Sequence, residues 1–211
     1  MPSLNDVSIS SDSNSAPGQW NGSDRASVIL REAAKLFSER GYGGASMQEI
    51  AGAVGITKAS LYHFFKNKDE IHSTVVAMSV RRLLDLVEES TADCATAAEK
   101  IEAFSRAHAT HLSESKAFYF ASAEGYHDLV EPGMKLRVQR MRDGYEEKLR
   151  MFIREGVDNG EFRELDVKLA ARALISCLNW MARWWRPEGP QSAQQLASDY
   201  VHLLIAGFRS D

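Results

Sequence analysis

From Ser23 onward, apolar residues recur at spacings of three and four, and no alternation persists long enough to predict a strand. Ile29, Leu30, Ala33, Ala34 and Phe37 form a first helical stripe that Gly41 closes. Ser46 followed three residues later by Glu49 is a capping box, so a second helix starts there with Ile50, Ala51 and Val54 on one face. Gly55 sits where the chain must turn sharply, a conformation glycine adopts at little cost. Thr57 suits the N-cap of a short helix over Lys58 to Phe64. Leu61 and either Phe64 or Phe65 then pack inward, against Ile50 and Ile56. Asn67 with Glu70 repeats the cap signal and opens a long helix from Lys68 to about Ser90. Further helices are predicted near 93–112, 114–127, 133–158, 166–185 and 191–208, separated by Pro132-Gly133, Asp158-Asn159-Gly160 and Pro187-Glu188-Gly189-Pro190. The fold class is all-α.

Two short helices joined by a tight glycine-centred turn make a helix-turn-helix unit, whose second helix enters the major groove of DNA. Lys58 and Ser60 are chemically suited to base edges. Thr57, Tyr62, His63, Lys66 and Lys68, with the cap residue Ser46, are placed for the backbone phosphates, which fix register without reading sequence. Tyr62 and His63 could instead simply cover the helix pair. Between Asn21 and Lys68 the basic residues are Arg25, Arg31, Lys35, Arg40, Lys58, Lys66 and Lys68, and the acidic ones Asp24, Glu32, Glu39 and Glu49. The segment thus carries +3 in a chain of net charge −4, which points to one DNA-facing end rather than a general polyanion binder.

With 211 residues, 44% of them hydrophobic and 26% charged, the chain has the composition of an ordinary globule. No apolar run approaches the ~20 residues needed to cross a bilayer. Residues 1–20 lack the apolar core of a signal peptide, so no membrane partner and a cytoplasmic location are expected. Residues 1–22 are rich in Ser, Asn, Asp, Pro and Gly without Lys or Arg, and are expected to form a disordered tail. The expected division is a tail over 1–22, a DNA-binding head over 23–68 and a larger helical domain over 69–211. Cys94 and Cys177 read as separate reduced thiols.

The run from Arg25 to Val75 resembles the TetR family of bacterial transcription regulators. The resemblance lies in Ala34 and Phe37, Gly41-Tyr42, Ser46-Met47, Ile50-Ala51, Gly55-Ile56-Thr57, Leu61-Tyr62-His63-Phe64 and Lys68-Asp69-Glu70-Ile71. Val54 and Ala59 depart from the alanine and glycine usual at those places. A second, narrower resemblance lies in Asn179-Trp180 and Arg183-Trp184-Trp185-Arg186-Pro187-Glu188-Gly189-Pro190, with Glu155 to Arg163 upstream. It is to TetR-type regulators that answer to acyl-CoA thioesters. That resemblance implies a first tryptophan, here Trp180, bordering a ligand cavity, and a last helix joining a dimer interface.

The larger domain carries the matching residues. The 166–185 helix is apolar nearly all round and must be covered on every face, by a partner subunit or around a cavity. In the 191–208 helix Ala193, Leu196, Ala197, Tyr200, Val201, Leu204 and Phe208 make a wide apolar stripe. A two-fold operator also requires two recognition helices, so a homodimer is expected. Candidate cavity residues are Phe104, His108, Phe118, Tyr119, Met141, Tyr145, Phe152 and Trp180, each of which core packing also explains. Arg183 and Arg186 could meet coenzyme A phosphates or cap their helix. His108, His111 and His127-Asp128 lack the spacing of a metal set, and no nucleophile-base motif or glycine-rich phosphate loop is present, so neither enzyme nor cofactor is expected. The expected protein is a dimeric repressor that binds a double-stranded DNA operator and answers to a small-molecule effector, for which the resemblance implies an acyl-CoA. The alternative is a ligand-independent, architectural DNA-binding protein with a solid core.

Overall fold

The computed structural model describes residues 25–207, in which the described elements are all α-helices: α1 (Arg25–Arg40), α2 (Met47–Val54), α3 (Lys58–Tyr62), α4 (Lys68–Thr91), α5 (Ala97–Glu114), α6 (Lys116–Gly125), α7 (Pro132–Asp158), α8 (Val167–Trp184) and α9 (Ala193–Ala206). The tail over 1–22 and Phe208 lie outside the described residues.

Local chemistry sets the boundaries in the head. Ser46 Oγ accepts from Glu49 N–H at 3.2 Å while the Glu49 carboxylate takes the Ser46 N–H at 2.9 Å, the reciprocal cap its spacing predicts. Gly55 closes α2 at φ +73°, donating its N–H to the carbonyls of Ala51 and Gly52. α3 ends at Tyr62 rather than Phe64. There the Phe64 and Phe65 N–H groups both turn back on the Leu61 carbonyl, and the bend buries Phe65 while Phe64 stays 43% exposed. Asn67 Oδ1 accepts from Glu70 N–H at 2.8 Å to start α4.

Ile29, Leu30, Ala33, Ala34 and Phe37 of α1 meet Ile50, Ala51, Leu61 and Phe65 in one buried cluster. Ile71 and Val75 of α4 and Ala121 of α6 belong to the same cluster, so α4 and α6 form part of the head's core. The body's core surrounds α5, where Ile101, Phe104 and Leu112 pack on Leu149 and Ile153 of α7, Leu174 and Leu178 of α8, and Ala197 and Val201 of α9. α5 begins at Ala97, later than the sequence pattern suggests, because Thr96 and Glu99 form a second capping box. A small third cluster, Val76, Val80, Leu129 and Val138, joins α4 to the start of α7. One continuous helix, α4, therefore runs from the cap beside α3 into the middle of the body.

Candidate functional site

The exposed surface of the helix-turn-helix carries Thr57, Lys58, Tyr62, His63 and Lys66, with Ser60 half-buried beside them. Thr57 Oγ1 accepts from Ser60 N–H at 3.0 Å and its hydroxyl lies 2.9 Å from Ser60 Oγ, so two of the expected DNA contacts hold each other in place. Lys58 Nζ stands 5.9 Å from the Tyr62 ring centroid, leaving the ammonium free to meet a base or a phosphate. Two expected contacts are otherwise engaged. Ser46 Oγ is committed to Glu49. Lys68 Nζ donates to the carbonyls of Tyr42 and Ala45, both at 2.8 Å, and lies 4.1 Å from the Tyr42 ring. An ammonium has three donors, and two are spent inside the protein. Lys68 therefore clamps the loop between α1 and α2. Arg40, counted in the basic patch, pairs with Glu49 at 2.8 Å.

A cavity of about 310 Å3 lies in the body between α4, α5, α6, α7 and α8. Its enclosed end is formed by Ser79 and Val80 of α4, His108 and His111 of α5, Tyr119 of α6 and Tyr145 of α7, all buried. Its outer end carries Tyr126, Gln139, Arg142, Asp143 and Asn179. A hydrogen-bonded chain crosses the inner wall. Tyr119 has one hydroxyl proton and gives it to Asn179 Oδ1 at 3.4 Å, so it accepts from His108 Nε2–H at 3.2 Å. His108 Nδ1 then accepts from the Tyr145 hydroxyl at 2.8 Å. Beside this chain, His111 packs against the Tyr119 ring at 5.8 Å and its Nε2 lies 3.0 Å from Ser79 Oγ.

Burial governs the charge of this wall, since a low-dielectric surround disfavours the ionised form. It pushes His108 down to about 3, helped by neighbouring His111, and His111 down to about 4, helped by Arg82. The same desolvation lifts Tyr119 to about 12 and Tyr145 well above its ordinary value. At neutral pH the inner wall is polar and uncharged. Outside, Arg142 and Lys135 flank the Tyr126 ring at 4.8 and 5.7 Å, and the Tyr126 hydroxyl donates to Gln139 at 2.7 Å.

Of the expected cavity residues, the structure brings His108, Tyr119 and Tyr145 together in the wall. Phe104 is fully buried and stacks on Tyr145, 4.5 Å between centroids, so it supports the wall from behind. Phe118 packs against the head's core and Met141 against the Val76 cluster. Trp180 and Arg183 are exposed on α8, one of them next in sequence to the wall residue Asn179. His111, Ser79, Asn179 and Arg142 complete the site. His111 was visible in sequence at helical spacing from His108 and Asn179 in the Asn179-Trp180 resemblance, whereas Ser79 and Arg142 carry no local signal. A wider recess of about 480 Å3, along α5 and α9, is lined mainly by small and charged residues such as Glu99, Glu102 and Arg106, without an aromatic wall.

Residues 29–73 match the bacterial regulatory proteins of the tetR family, and residues 94–208 match the tetracyclin repressor-like C-terminal domain. The chain belongs to the TetR family. It is a DNA-binding transcription regulator and not an enzyme. Among solved structures this TetR-family chain is similar to the regulator PfmR of Thermus thermophilus, with 41% identity, TM-score 0.79, and 86% of this chain and 99% of that one covered. It is also similar to the HTH-type transcriptional repressor KstR2 of Mycobacterium tuberculosis, 28% identical over 92% of this chain and 96% of that protein. AibR, whose structure contains isovaleryl coenzyme A and operator DNA, is 25% identical at TM-score 0.75, over 85% of this chain and 97% of that one. Among the described residues no helix is long and apolar enough to cross a membrane.

Proposed function

We propose that this TetR-family regulator is a homodimeric repressor that leaves its palindromic operator when an acyl-CoA thioester occupies the cavity between α4 and α8. The observation that carries the reading is that Ser79, Val80 and Leu83 of the cavity wall sit on α4, the helix that starts beside α3. A ligand that shifts α4 shifts the head with it. The cavity of about 310 Å3 has room for a short acyl group, and the flanking Arg142 and Lys135 offer guanidinium and ammonium groups to phosphates outside it. AibR, solved with isovaleryl coenzyme A and operator DNA, supports the effector class. The ligand-independent alternative predicts a solid core, which the cavity argues against.

Release is a population shift. The effector must favour the conformation whose heads no longer match the two half-sites, and a 100-fold preference corresponds to about 2.7 kcal/mol of coupling per site. Leu169, Trp180 and Trp184 of α8 and Leu203 of α9 are exposed apolar side chains on two neighbouring helices, and a second copy of the chain would cover them.

The test is a thermal-shift screen of the dimer against acyl-CoA thioesters, free acids and aromatic compounds, followed by operator binding with each hit. A ligand specific to the native state at 100 times its Kd adds about 2.7 kcal/mol, a clear rise in Tm. Stabilisation by thioesters together with loss of operator binding is the expected result. Tight thioester binding that leaves operator affinity unchanged would overturn the release mechanism.

A further inference from the structure

His111 is 2% exposed and forms part of the enclosed cavity wall. Nε2 faces Ser79, but Nδ1 is buried with no hydrogen-bond partner among the described residues. Native proteins rarely leave a buried polar nitrogen unmatched, because desolvation without a replacement bond is unfavourable. The neighbouring polar groups do not have this deficit: Tyr145, His108, Tyr119 and Asn179 are linked in the directed chain described above. His111 is the unfinished member of the wall.

We propose that His111 is a specificity-determining residue of the cavity, and that it hydrogen-bonds an uncharged oxygen, a carbonyl or a hydroxyl, on the enclosed part of the effector. This rests on the effector reading of the cavity and narrows the class of molecule it takes. The Ser79 hydroxyl can donate to or accept from the imidazole, so the other ring nitrogen serves a carbonyl as N–H donor or a hydroxyl as acceptor. A carboxylate fits poorly. The imidazoles of His108 and His111 are neutral at pH 7, and the carboxylates of Asp143 and Glu146 also line the cavity. Arg142, the cation of the site, stands over Tyr126 at the outer end. Arg82 acts on His111 from outside the lining, so a buried anion at the inner end would have no lining cation beside it to pair with.

The experiment titrates the purified dimer by calorimetry with CoA derivatives of one chain length: an S-alkyl thioether without acyl oxygen, the plain thioester, and the 3-hydroxy and 3-oxo thioesters. At least one oxygen-bearing member is expected to bind tenfold or more tightly than the thioether. His111→Phe is expected to bind the series alike, and His111→Gln, which keeps a hydrogen-bonding group, to recover part of the preference. Equal binding of the whole series by the unmodified protein would overturn the inference and leave the effector reading intact, without recourse to any variant. A preference that survives in His111→Phe would overturn it as well. Binding of no member would remove the acyl-CoA reading itself, and this inference with it.

Discussion

Lys58 and Lys68 stand ten residues apart in the same basic segment, and the sequence points both at DNA, Lys58 at a base edge and Lys68 at a phosphate. The structure separates them. Lys58 is exposed at the start of α3. Lys68 holds two carbonyls and an aromatic face of the loop before α2. Lys58→Ala should weaken operator binding by about 1–3 kcal/mol if its contact is to a base edge, and reduce the salt slope by about one if it is to a phosphate. Lys68→Met should instead destabilise the fold by about 1.5–3 kcal/mol, the range for hydrogen bonds to a charged group, in urea unfolding without DNA. A Lys68→Met protein of unchanged stability would return Lys68 to the DNA interface. The difference was illegible in the sequence because the partners of Lys68 are backbone carbonyls more than 20 residues away. The caps at Ser46, Thr57 and Asn67 were legible because each partner lies three residues on.

Among the elements, the joint between α4 and α6 is the least expected from the pattern. Gly125 lies so close to His72 that a Cβ built on it would overlap His72 Nε2. His72 in turn packs its ring edge-on to Phe37 at 5.1 Å and against Tyr42 at 4.6 Å. The glycine thus lets α6 approach the helix that connects head and cavity. Gly125→Ala should lower stability by about 1–3 kcal/mol through overpacking, against the small gain alanine normally gives inside a helix. A neutral or stabilising result in urea unfolding would mean that the joint is loose enough to yield. In the sequence Gly125 was one more residue of a helix near 114–127. The need for a glycine comes from a partner helix 53 positions earlier, which periodicity does not reveal. The same holds for the cavity wall. The inward face of α5 was predictable, but the tyrosines that bond His108 come from α6 and α7, and the docking of those helices decides which aromatics face a space and which, like Phe104, fill the core.

At the scale of the whole molecule, the buried histidines make stability depend on pH, and the exposed helix faces offer a surface for the proposed second copy. Burial lowers His108 to about 3 and His111 to about 4, and it lowers His72 as well. In the unfolded chain these groups titrate near 6.5, so below that pH the unfolded state binds protons that the native state refuses. Their contribution is complete above about pH 6.5 and is lost as pH falls towards 4 and then 3, by up to ~1.4 kcal/mol per pH unit for each histidine. Urea midpoints should therefore drop between pH 7 and pH 5, and His108→Phe should flatten that drop; the same slope in the variant would discard the assignment. The proposed interface is tested at Leu203, which is 74% exposed on α9, as Trp180 and Trp184 are exposed on α8. Leu203→Glu removes little from the packing of a single copy, so the variant should fold. If α8 and α9 form the dimer face, a carboxylate there is buried against apolar surface, an arrangement that costs several kcal/mol unless it is paired. The variant should then sediment as a monomer at concentrations where the parent is a dimer. Its operator affinity should fall by about 10²–10⁴, because the second head no longer binds as an intramolecular step. A monomer that keeps full operator affinity would show that one head suffices, and a variant that remains dimeric would move the interface elsewhere on the molecule.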